Sequence, residues 1–304
     1  MTIKGGRSVE IELVGGLGNQ LFGYFAGAYY AEKFKKNLIT DFTQVPLGMT
    51  NHGSELTSFK LNKLEKITKS NRNSIYNFLK KLFDRLSIKF KLLNYLRFNV
   101  SGTYQSIETG YDSFIESHNK ISRMQGYYQT WKYFDYLEKN NFNVSLELVS
   151  PSEWFTQLHT EIKLKNSIAI HIRRGDYKNP NSPTGLLSRE YYADAISKIT
   201  SKFSNHEFWV FSDDINDAKI LLSGLIPEGS KWIIPPDPAD PAESLVLMSF
   251  TKAIIVANSS FSWWAATANT KKELVIAPDP WFKNTKTPLD LIPSSWELIR
   301  SSWM

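Results

Sequence analysis

The apolar stretch "SIAIHI" at 167–172 is followed directly by Arg173 and Arg174, and then, after a glycine, by Asp176. His171 precedes Arg173 by two residues and would lie on the same side of a strand. Guanidinium groups bind phosphate oxygens in a bidentate manner, so this strand end predicts an anion site. A salt bridge between the arginines and Asp176 that only joins neighbouring elements is the structural alternative.

A second anion site is predicted in "NSSFSWWAA" at 258–266. Three serines, Ser259, Ser260 and Ser262, stand at the start of a predicted helix, where free backbone N–H groups and the helix dipole favour an anion. Plain N-capping is the alternative, although one serine would suffice for that. Two anion sites together suit a diphosphate.

The acidic pair Asp213 and Asp214 follows the apolar run 208–211 and Ser212. Paired carboxylates can hold Mg²⁺, but the arginines and the helix terminus already supply positive charge. A carboxylate can instead accept hydrogen bonds from guanine, or cap the helix predicted to begin near Ile215. A guanine contact or a helix cap is therefore favoured over a metal site.

A glycine-rich turn, "GGLGNQ" at 15–20, joins a strand predicted over 8–14 to a helix predicted over 21–36. The helix carries an apolar stripe at Leu21, Tyr24, Phe25 and Ala28. The turn lacks the Lys-Ser/Thr of a phosphate-binding loop and the spacing of a dinucleotide fingerprint, which argues against an ATPase or a dehydrogenase. The five histidines are scattered without metal-ligand spacing.

The second half of the chain alternates apolar runs with helical stretches. The runs at 168–172, 208–211, 253–257 and 274–277 each end in polar residues. This pattern predicts a parallel α/β sheet whose ligands bind beyond the carboxyl ends of its strands. Asp240, Pro241 and Glu243 predict a helix start. A boundary is predicted near Ser150 and Pro151.

The composition indicates a folded protein. The 304 residues are 42% hydrophobic and 14% aromatic, contain no cysteine, and begin without the apolar core of a signal peptide. No run reaches the roughly 18 apolar residues of a membrane span. These features favour a cytoplasmic protein.

The positive charge is concentrated in the segment 60–97. This segment contains eight lysines and three arginines but only two acidic residues. Inside this segment, apolar residues at 75, 78, 79, 82, 83 and 86 have helical spacing, with basic residues between them. A helix with a solvated basic face is one interpretation; contact with anionic lipid or guidance of an anionic substrate is another. No nucleic-acid-binding motif accompanies the charge.

Five motifs in order resemble glycosyltransferase family 11, the α-1,2-fucosyltransferases. They are "GGLGNQLF" (15–22), "GYYQTWKYF" (126–134), "HIRRGDY" (171–177), "FSDD" (211–214) and "LMSFTKAIIVANSSFSWWAA" (247–266). The resemblance extends from residue 11 to about residue 297. The sequence departs from the family pattern at Gly23, Trp131 and Thr251, and the first two could affect the acceptor.

This resemblance implies an α/β, GT-B-type fold with two Rossmann-like domains facing each other across a cleft. Residues 1–150 would form an acceptor-side domain with a basic insertion at 60–97, and residues 151–304 a GDP-fucose-binding domain with a parallel sheet. By similarity, donor-binding residues come from both halves of the chain. They are Gly16, His171, Arg173, Arg174, Asp213, Asn258, Ser259, Ser260, Phe261 and Ser262.

The implied reaction transfers L-fucose from GDP-β-L-fucose to the 2-hydroxyl of a terminal galactose with inversion. Arg173, Asp176 and Asn19 are the candidate catalytic residues. Asp176, a group in the N-terminal domain, or the departing diphosphate could take the proton. No cofactor and no metal are expected.

The implied partners are GDP-fucose and a galactose-terminated glycan, either free or lipid-linked, in a bacterial protein that could also contact an anionic membrane from the cytoplasmic side. Two alternatives remain: a GDP-sugar transferase that forms another linkage, and a non-catalytic binder of anionic glycan or lipid.

Overall fold

The computed structural model describes residues 8–45, 55–61, 65–67, 91–179, 182–269 and 271–304. The chain divides into two compact units. Unit 1 comprises Met1–Leu56, Leu61–Val144 and Pro288–Leu291, and unit 2 comprises Thr57–Lys60, Ser145–Thr287 and Ile292–Met304. The basic amphipathic helix predicted around 75–86 lies outside the described residues.

Unit 1 contains a parallel five-stranded sheet in the order β3-β2-β1-β5-β4. Its strands are β1 (Ser8–Glu12), β2 (Asn37–Asp41), β3 (Glu65–Ile67), β4 (Thr103–Gln105) and β5 (Arg123–Gln125). Its helices are α1 (Leu17–Phe34), α2 (Lys91–Ser101), α3 (Phe114–Ser117) and α4 (Trp131–Lys139), and a short 3₁₀ helix spans Glu55–Ser58.

The turn between β1 and α1 is shorter than predicted, because α1 begins at Leu17 rather than at Leu21. Gly15 has φ +69°, a left-handed conformation that favours glycine, and Gly16 is the extended N-cap. The helix can therefore start within the glycine-rich motif itself. At its other end, Lys35 is a left-handed C-cap, and β2 follows.

Helix α1 is buried nearly all round, not only along the predicted stripe. Gly27 explains how it approaches the sheet so closely, since a Cβ there would lie 2.8 Å from Leu38 Cδ1 and 2.9 Å from Ile11 Cγ2. The close approach buries the β1 and β2 side chains that face the helix.

Unit 2 contains a parallel six-stranded sheet in the order β11-β10-β9-β6-β7-β8. The strands are β6 (Ser167–Ile172), β7 (Glu207–Ser212), β8 (Lys231–Trp232), β9 (Ala253–Ile255), β10 (Leu274–Asp279) and β11 (Glu297–Arg300). The four strands predicted in this half are confirmed within a few residues at each end. The two outer strands, β8 and β11, were not predicted: β8 has only two residues, and β11 alternates between half-buried and exposed positions.

Helices cover the sheet of unit 2: α5 (Glu153–Leu164), α6 (Arg189–Lys202), α7 (Ile215–Leu222), α8 (Pro241–Ser249) and α9 (Ser260–Thr267). The predicted cap of α8 is confirmed, because Asp240 accepts a hydrogen bond from the Ala242 amide at 2.9 Å. On one face, Ile168, Ile170 and Ile172 of β6 pack in a core of buried apolar side chains. Strand β6 is thereby fixed in the middle of the sheet.

Candidate functional site

The strand ends of unit 2 bring the predicted anion-binding residues to one edge of the sheet. Strands β6, β9 and β7 are neighbours in the order β9-β6-β7, and all run in the same direction. Arg173 follows β6, Asp213 follows β7, and Ser259 precedes α9 beyond the end of β9. The carboxyl ends of parallel strands are where α/β sheets bind ligands.

Arg173 is braced by two carboxylates. Its Nη2 donates to Asp176 Oδ1 at 2.6 Å, and its Nη1 lies 3.1 Å from Asp213 Oδ2. The guanidinium carbon also lies 5.4 Å from the ring centroid of Tyr177. Burial alone would lower the pKa of Arg173, but Asp213 and Asp176 raise it. The side chain is 33% exposed, so a charged guanidinium is held in place and open to a ligand.

Asp213 is fixed by both of its oxygens. Its Oδ1 accepts from the Arg174 amide at 2.8 Å, while Oδ2 faces Arg173. Gly175 leaves the space for this carboxylate, because a Cβ at that position would lie 2.5 Å from Asp213 Oδ2. The glycine of "RRGDY" is therefore required by the carboxylate that orients Arg173. Binding of guanine by Asp213 stays a prediction.

Arg174 points into the protein and not toward the open edge. Its guanidinium is 1% exposed, and Nη1 donates to Leu187 O at 3.1 Å and to Met304 Sδ at 3.3 Å. Its Nε lies 3.2 Å from Asp217 Oδ2, although without the angle of a hydrogen bond. The two arginines thus differ in this structure: Arg173 is accessible, whereas Arg174 is buried and connects neighbouring segments of the chain. Diphosphate binding by Arg174 stays a prediction.

The serines at the start of α9 have different contacts. Ser259 is the N-cap and accepts from the Phe261 amide at 3.3 Å. Ser262 is fully buried and donates to Ala257 O and Ser259 O, both at 3.3 Å. The amides of Ser260 and Ser262 have no acceptor among the described residues. The capping interpretation is confirmed for Ser259, and the amide of half-buried Ser260 is still an N–H donor at the helix terminus.

Asn258 is a buried connection between loops. Its Nδ2 donates to Thr184 O at 2.9 Å and to Gly185 O at 3.1 Å. The backbone carbonyl oxygen of Asn258 accepts a hydrogen bond from the Tyr177 hydroxyl at 3.2 Å. Asn258 therefore shapes the start of α9 through its neighbours, and direct contact with a donor stays a prediction.

His171 is buried next to this helix terminus. Its ring centroid lies 5.6 Å from that of Phe261, and Nδ1 is buried without a hydrogen-bond partner among the described residues. Burial lowers the pKa of His171 to about 3, and the nearby Arg173 charge acts in the same direction. The imidazole is therefore neutral near pH 7.

Tyr177 is a site residue to which the sequence analysis gave no role. Its ring lies against Arg173, and its hydroxyl bonds to Asn258 O. Burial raises the pKa of this tyrosine to about 12, so it stays protonated. It lies in the 3₁₀ helix Gly175–Lys178, and that single turn connects the end of β6 to the segment before α9. The feature of the sequence that could have indicated a role for Tyr177 is its position four residues after Arg173.

In unit 1, the glycine-rich motif contacts the Tyr- and Trp-rich motif. Asn19 Oδ1 accepts from Gln129 Nε2 at 2.8 Å. Gly16 is exposed, and a Cβ there would meet no atom within 4 Å. Helix α1 has no side-chain cap and no acidic residue in its first turn. Neither a capping side chain at Gly16 nor an acidic first-turn residue therefore offsets the partial positive charge of this N-terminus.

A buried charge cluster at the sheet of unit 1 was missed by the sequence analysis. Arg123 on β5 pairs with Glu10 and Glu12 on β1, and with Asp41 on β2 at 2.7 Å. Gln125 donates to Glu12 at 2.9 Å. Burial alone would raise the pKa of Asp41, but hydrogen bonds from Thr43 and the Arg123 charge lower it. Arg123 is far from all three carboxylates in sequence, so only strand pairing brings them together.

In the part of the chain that the structure describes, no three His, Asp or Glu side chains are grouped to hold a metal ion. Within the same residues, no helix is long and apolar enough to cross a membrane.

Comparison with known families identifies the class of the chain. The model of glycosyl transferase family 11 matches residues 8–292. The chain therefore belongs to glycosyltransferase family 11, and the resemblance predicted from its motifs is confirmed.

Two curated relatives cover nearly the whole chain. An α-1,2-colitosyltransferase of Escherichia coli is 30% identical over 309 residues, covering 96% of this chain and 98% of that protein. The O-antigen biosynthesis glycosyltransferase WbnK of Escherichia coli is 27% identical, covering 93% and 98%.

Solved structures show the same fold at low sequence identity. A crystal structure of the α-1,6-fucosyltransferase NodZ soaked with GDP-fucose has a TM-score of 0.52 at 14% identity, covering 93% of this chain and 99% of that one. Another, of fucosyltransferase NodZ from Bradyrhizobium, has a TM-score of 0.53 at 14% identity over the same shares of the two chains. The predicted α/β, GT-B-type fold class is confirmed.

Proposed function

We propose that the chain is an inverting α-1,2-glycosyltransferase that moves L-fucose, or a close relative of that sugar, from its GDP derivative to the 2-hydroxyl of a terminal galactose. The observation that carries the proposal is Arg173, a guanidinium braced by Asp176 and Asp213 at the open edge of the unit 2 sheet. The family membership and the α-1,2-colitosyltransferase relative support the reaction class.

In the proposed reaction, the galactose 2-hydroxyl oxygen forms a bond to C1 of the sugar. The bond from C1 to the diphosphate oxygen breaks, GDP leaves with its electron pair, and the hydroxyl proton passes to a base. Arg173 and the N–H groups at the start of α9 would stabilise the charge that develops on the diphosphate. Neutral His171 would offer a hydrogen bond to the nucleotide.

Asp176 serves Arg173 in this scheme. Its carboxylate is 60% exposed and already accepts from Arg173 Nη2. Because this carboxylate is engaged by the Arg173 guanidinium, we place Asp176 as a residue that positions Arg173. The proton would pass to another group or to the departing diphosphate.

We propose that the reaction needs no metal. Both oxygens of Asp213 are engaged by the Arg173 guanidinium and the Arg174 amide. Asp214 caps α7 through the Asp217 amide at 3.0 Å and bonds to Lys178 at 2.8 Å. Neither carboxylate is arranged to ligate Mg²⁺, which requires near-octahedral oxygen ligands.

The donor sugar has two candidates. Colitose is fucose without its 3-hydroxyl group, and a relative of this chain is a colitosyltransferase. A GDP-colitose donor is therefore the second candidate beside GDP-fucose. Turnover of both GDP-sugars with one galactoside acceptor would separate them, and NMR of the product would establish the linkage.

If the acceptor is linked to lipid, as in O-antigen assembly, the protein would act beside a membrane. A lipid-linked acceptor is supported by the relative that is an O-antigen biosynthesis glycosyltransferase. Three apolar side chains on α2, Tyr95, Leu96 and Val100, are about half exposed or more. Charge reversal at Lys80, Lys81, Arg85 and Lys89, which lie outside the described residues, should release the protein from anionic vesicles while activity on soluble acceptors persists. An equal loss of vesicle binding and of activity on soluble acceptors would contradict this proposal.

The test of the proposed function is Arg173→Ala, with Arg173→Lys beside it. Loss of one donor to a developing anion typically costs about 100- to 1,000-fold in kcat. Lysine keeps the charge without the planar fork, so its loss should be smaller. Arg300→Ala, a change at an exposed position in the same unit, is the control. Near-normal kcat for Arg173→Ala would contradict the assignment.

A further inference from the structure

Gln129 and Asn19 come from different family motifs and are joined by one side-chain hydrogen bond. Gln129 Nε2 donates to Asn19 Oδ1 at 2.8 Å. The donor in this pair is the glutamine, so the carbonyl oxygen of the Asn19 carboxamide already accepts one hydrogen bond. Both N–H donors of the Asn19 amino group remain for a ligand.

The backbone around Gln129 is firmly held. The Gln129 amide donates to Thr109 O at 2.6 Å. The next residue, Thr130, is 2% exposed, caps α4 and donates to Asp290 O at 2.9 Å. Before it, Tyr128 is fully buried and donates to Gln125 O at 3.0 Å. Gln129 is thus a fixed donor and not a mobile surface side chain.

The free side of Asn19 lies at the glycine-rich turn. A Cβ on Gly15 would be 2.8 Å from Asn19 Nδ2, so the amino group lies against the turn itself. This Nδ2 has no acceptor among the described residues. It lies beside the uncapped N-terminus of α1. All of these groups are hydrogen-bond donors or carry partial positive charge.

We propose that Gln129 is a positioning residue that holds the Asn19 carboxamide in one orientation, with its amino group directed outward as a donor. The amino group then presents its N–H donors at the turn, which suits an oxygen that carries or gains negative charge. Asn19 stabilises such an oxygen and does not accept the proton of the sugar hydroxyl. This inference rests on the proposed glycosyl transfer.

The test is Gln129→Glu, which changes polarity with little change in volume. Near pH 8 the carboxylate can only accept, so it would bond to Asn19 Nδ2 and turn the carboxamide oxygen toward the ligand. We expect kcat to fall about 100-fold, the typical cost of losing one such donor, with a smaller change in KM. Gln157→Glu, at an exposed position on α5, is the matched control and should leave kcat unchanged.

The pH profile gives a signature that a merely structural role would not produce. In the Gln129→Glu variant, the introduced carboxyl group can donate to Asn19 Oδ1 when it is protonated, as glutamine does. The kcat deficit of Gln129→Glu relative to the wild type should therefore shrink as the pH is lowered from about 8 toward 5, because the reference pKa of glutamate is about 4.3. A deficit that stays constant with pH would contradict the orientation argument.

A double-mutant cycle shows whether Gln129 acts through Asn19. On an Asn19→Ala background, Gln129→Glu should cause little further loss, because the group that it orients is absent. A full additional loss on that background, or unchanged kcat in the single variant, would overturn the inference. Failure of the proposed function has a different signature, since the wild-type chain would then transfer neither fucose nor colitose, and the inference would fall with it.

Discussion

At the scale of single residues, neighbouring charges and burial decide what each side chain of the site can do. Arg173 and Arg174 are adjacent in sequence, yet one is 33% exposed and the other 1%. Their opposite directions follow from the end of β6, where the chain leaves the sheet. The sequence predicted that a guanidinium stands at this edge, but two adjacent arginines carry no signal of which one turns inward.

His171 gives a prediction at this scale because its environment opposes protonation. Its pKa falls from 6.5 to about 3 on burial, so only the unfolded chain takes up this proton between those values. The contribution of the neutral imidazole to stability is complete above about pH 6.5 and is lost as the pH falls. We expect wild-type unfolding free energy to fall more steeply than that of His171→Gln, by up to about 1.4 kcal/mol per pH unit between about pH 6 and 4.

Chemical denaturation at a series of pH values measures this difference. Both proteins share all carboxylates, so the slope that these groups contribute cancels in the comparison. Parallel slopes for the two proteins would show that His171 is not neutral and buried as the structure has it.

At the scale of elements, the short turn after β6 is built around the carboxylate that follows β7. Gly175 has space for no Cβ, because Asp213 Oδ2 would lie 2.5 Å away. Gly175→Ala should therefore displace the Asp213 carboxylate from Arg173, and kcat should fall about tenfold or more while the fold persists. Gly229→Ala is the matched control, since a Cβ there meets nothing within 4 Å.

Steady-state kinetics and thermal unfolding of the two variants separate the effects. The expected pattern is a kinetic defect confined to Gly175→Ala, with folded protein in both cases. Equal activity of the two variants would mean that Asp213 does not need its present position.

Some features of these elements were predictable from the sequence, and others were not. The central strands of unit 2 were predictable because largely apolar runs such as 168–172, without regular polar alternation, are typical of strands covered on both faces. The start of α1 at Leu17 was missed because the glycines looked like a loop, although Gly15 alone makes the turn. The link from Tyr177 to Asn258 joins residues 81 positions apart and depends on tertiary packing.

At the scale of the whole molecule, the chain is two compact units, each with a parallel sheet and its own buried core. The cluster around Arg123 ties three strands of unit 1 with one arginine against three carboxylates. No periodicity or motif predicts such a cluster, because its members are ordinary charged residues that strand order alone brings into contact. Both the desolvation cost of burying these charges and the attraction between them arise only in the folded chain.

Arg123→Met should lower the unfolding free energy of the protein by about 3–5 kcal/mol, because it leaves buried carboxylates without their partner. In the wild type the pKa of Asp41 is lowered, so its contribution is present at neutral pH and is lost as the pH falls through that lowered value. The deficit of the variant should therefore be largest near pH 7 and smaller near pH 4.

Denaturant unfolding at the two pH values, with the exposed Arg300→Met as control, measures the effect. A deficit that grows at low pH would contradict the ion-pair account.

The most direct test of the central claim is transfer itself. Purified protein is mixed with GDP-fucose or GDP-colitose and a panel of galactosides with β-1,3 and β-1,4 linkages, in EDTA. We expect release of GDP and an α-1,2-linked product with at least one donor and acceptor, with a loss of activity of about 100-fold or more in Arg173→Ala. No GDP release with any combination, or release that requires an added divalent metal, would contradict it.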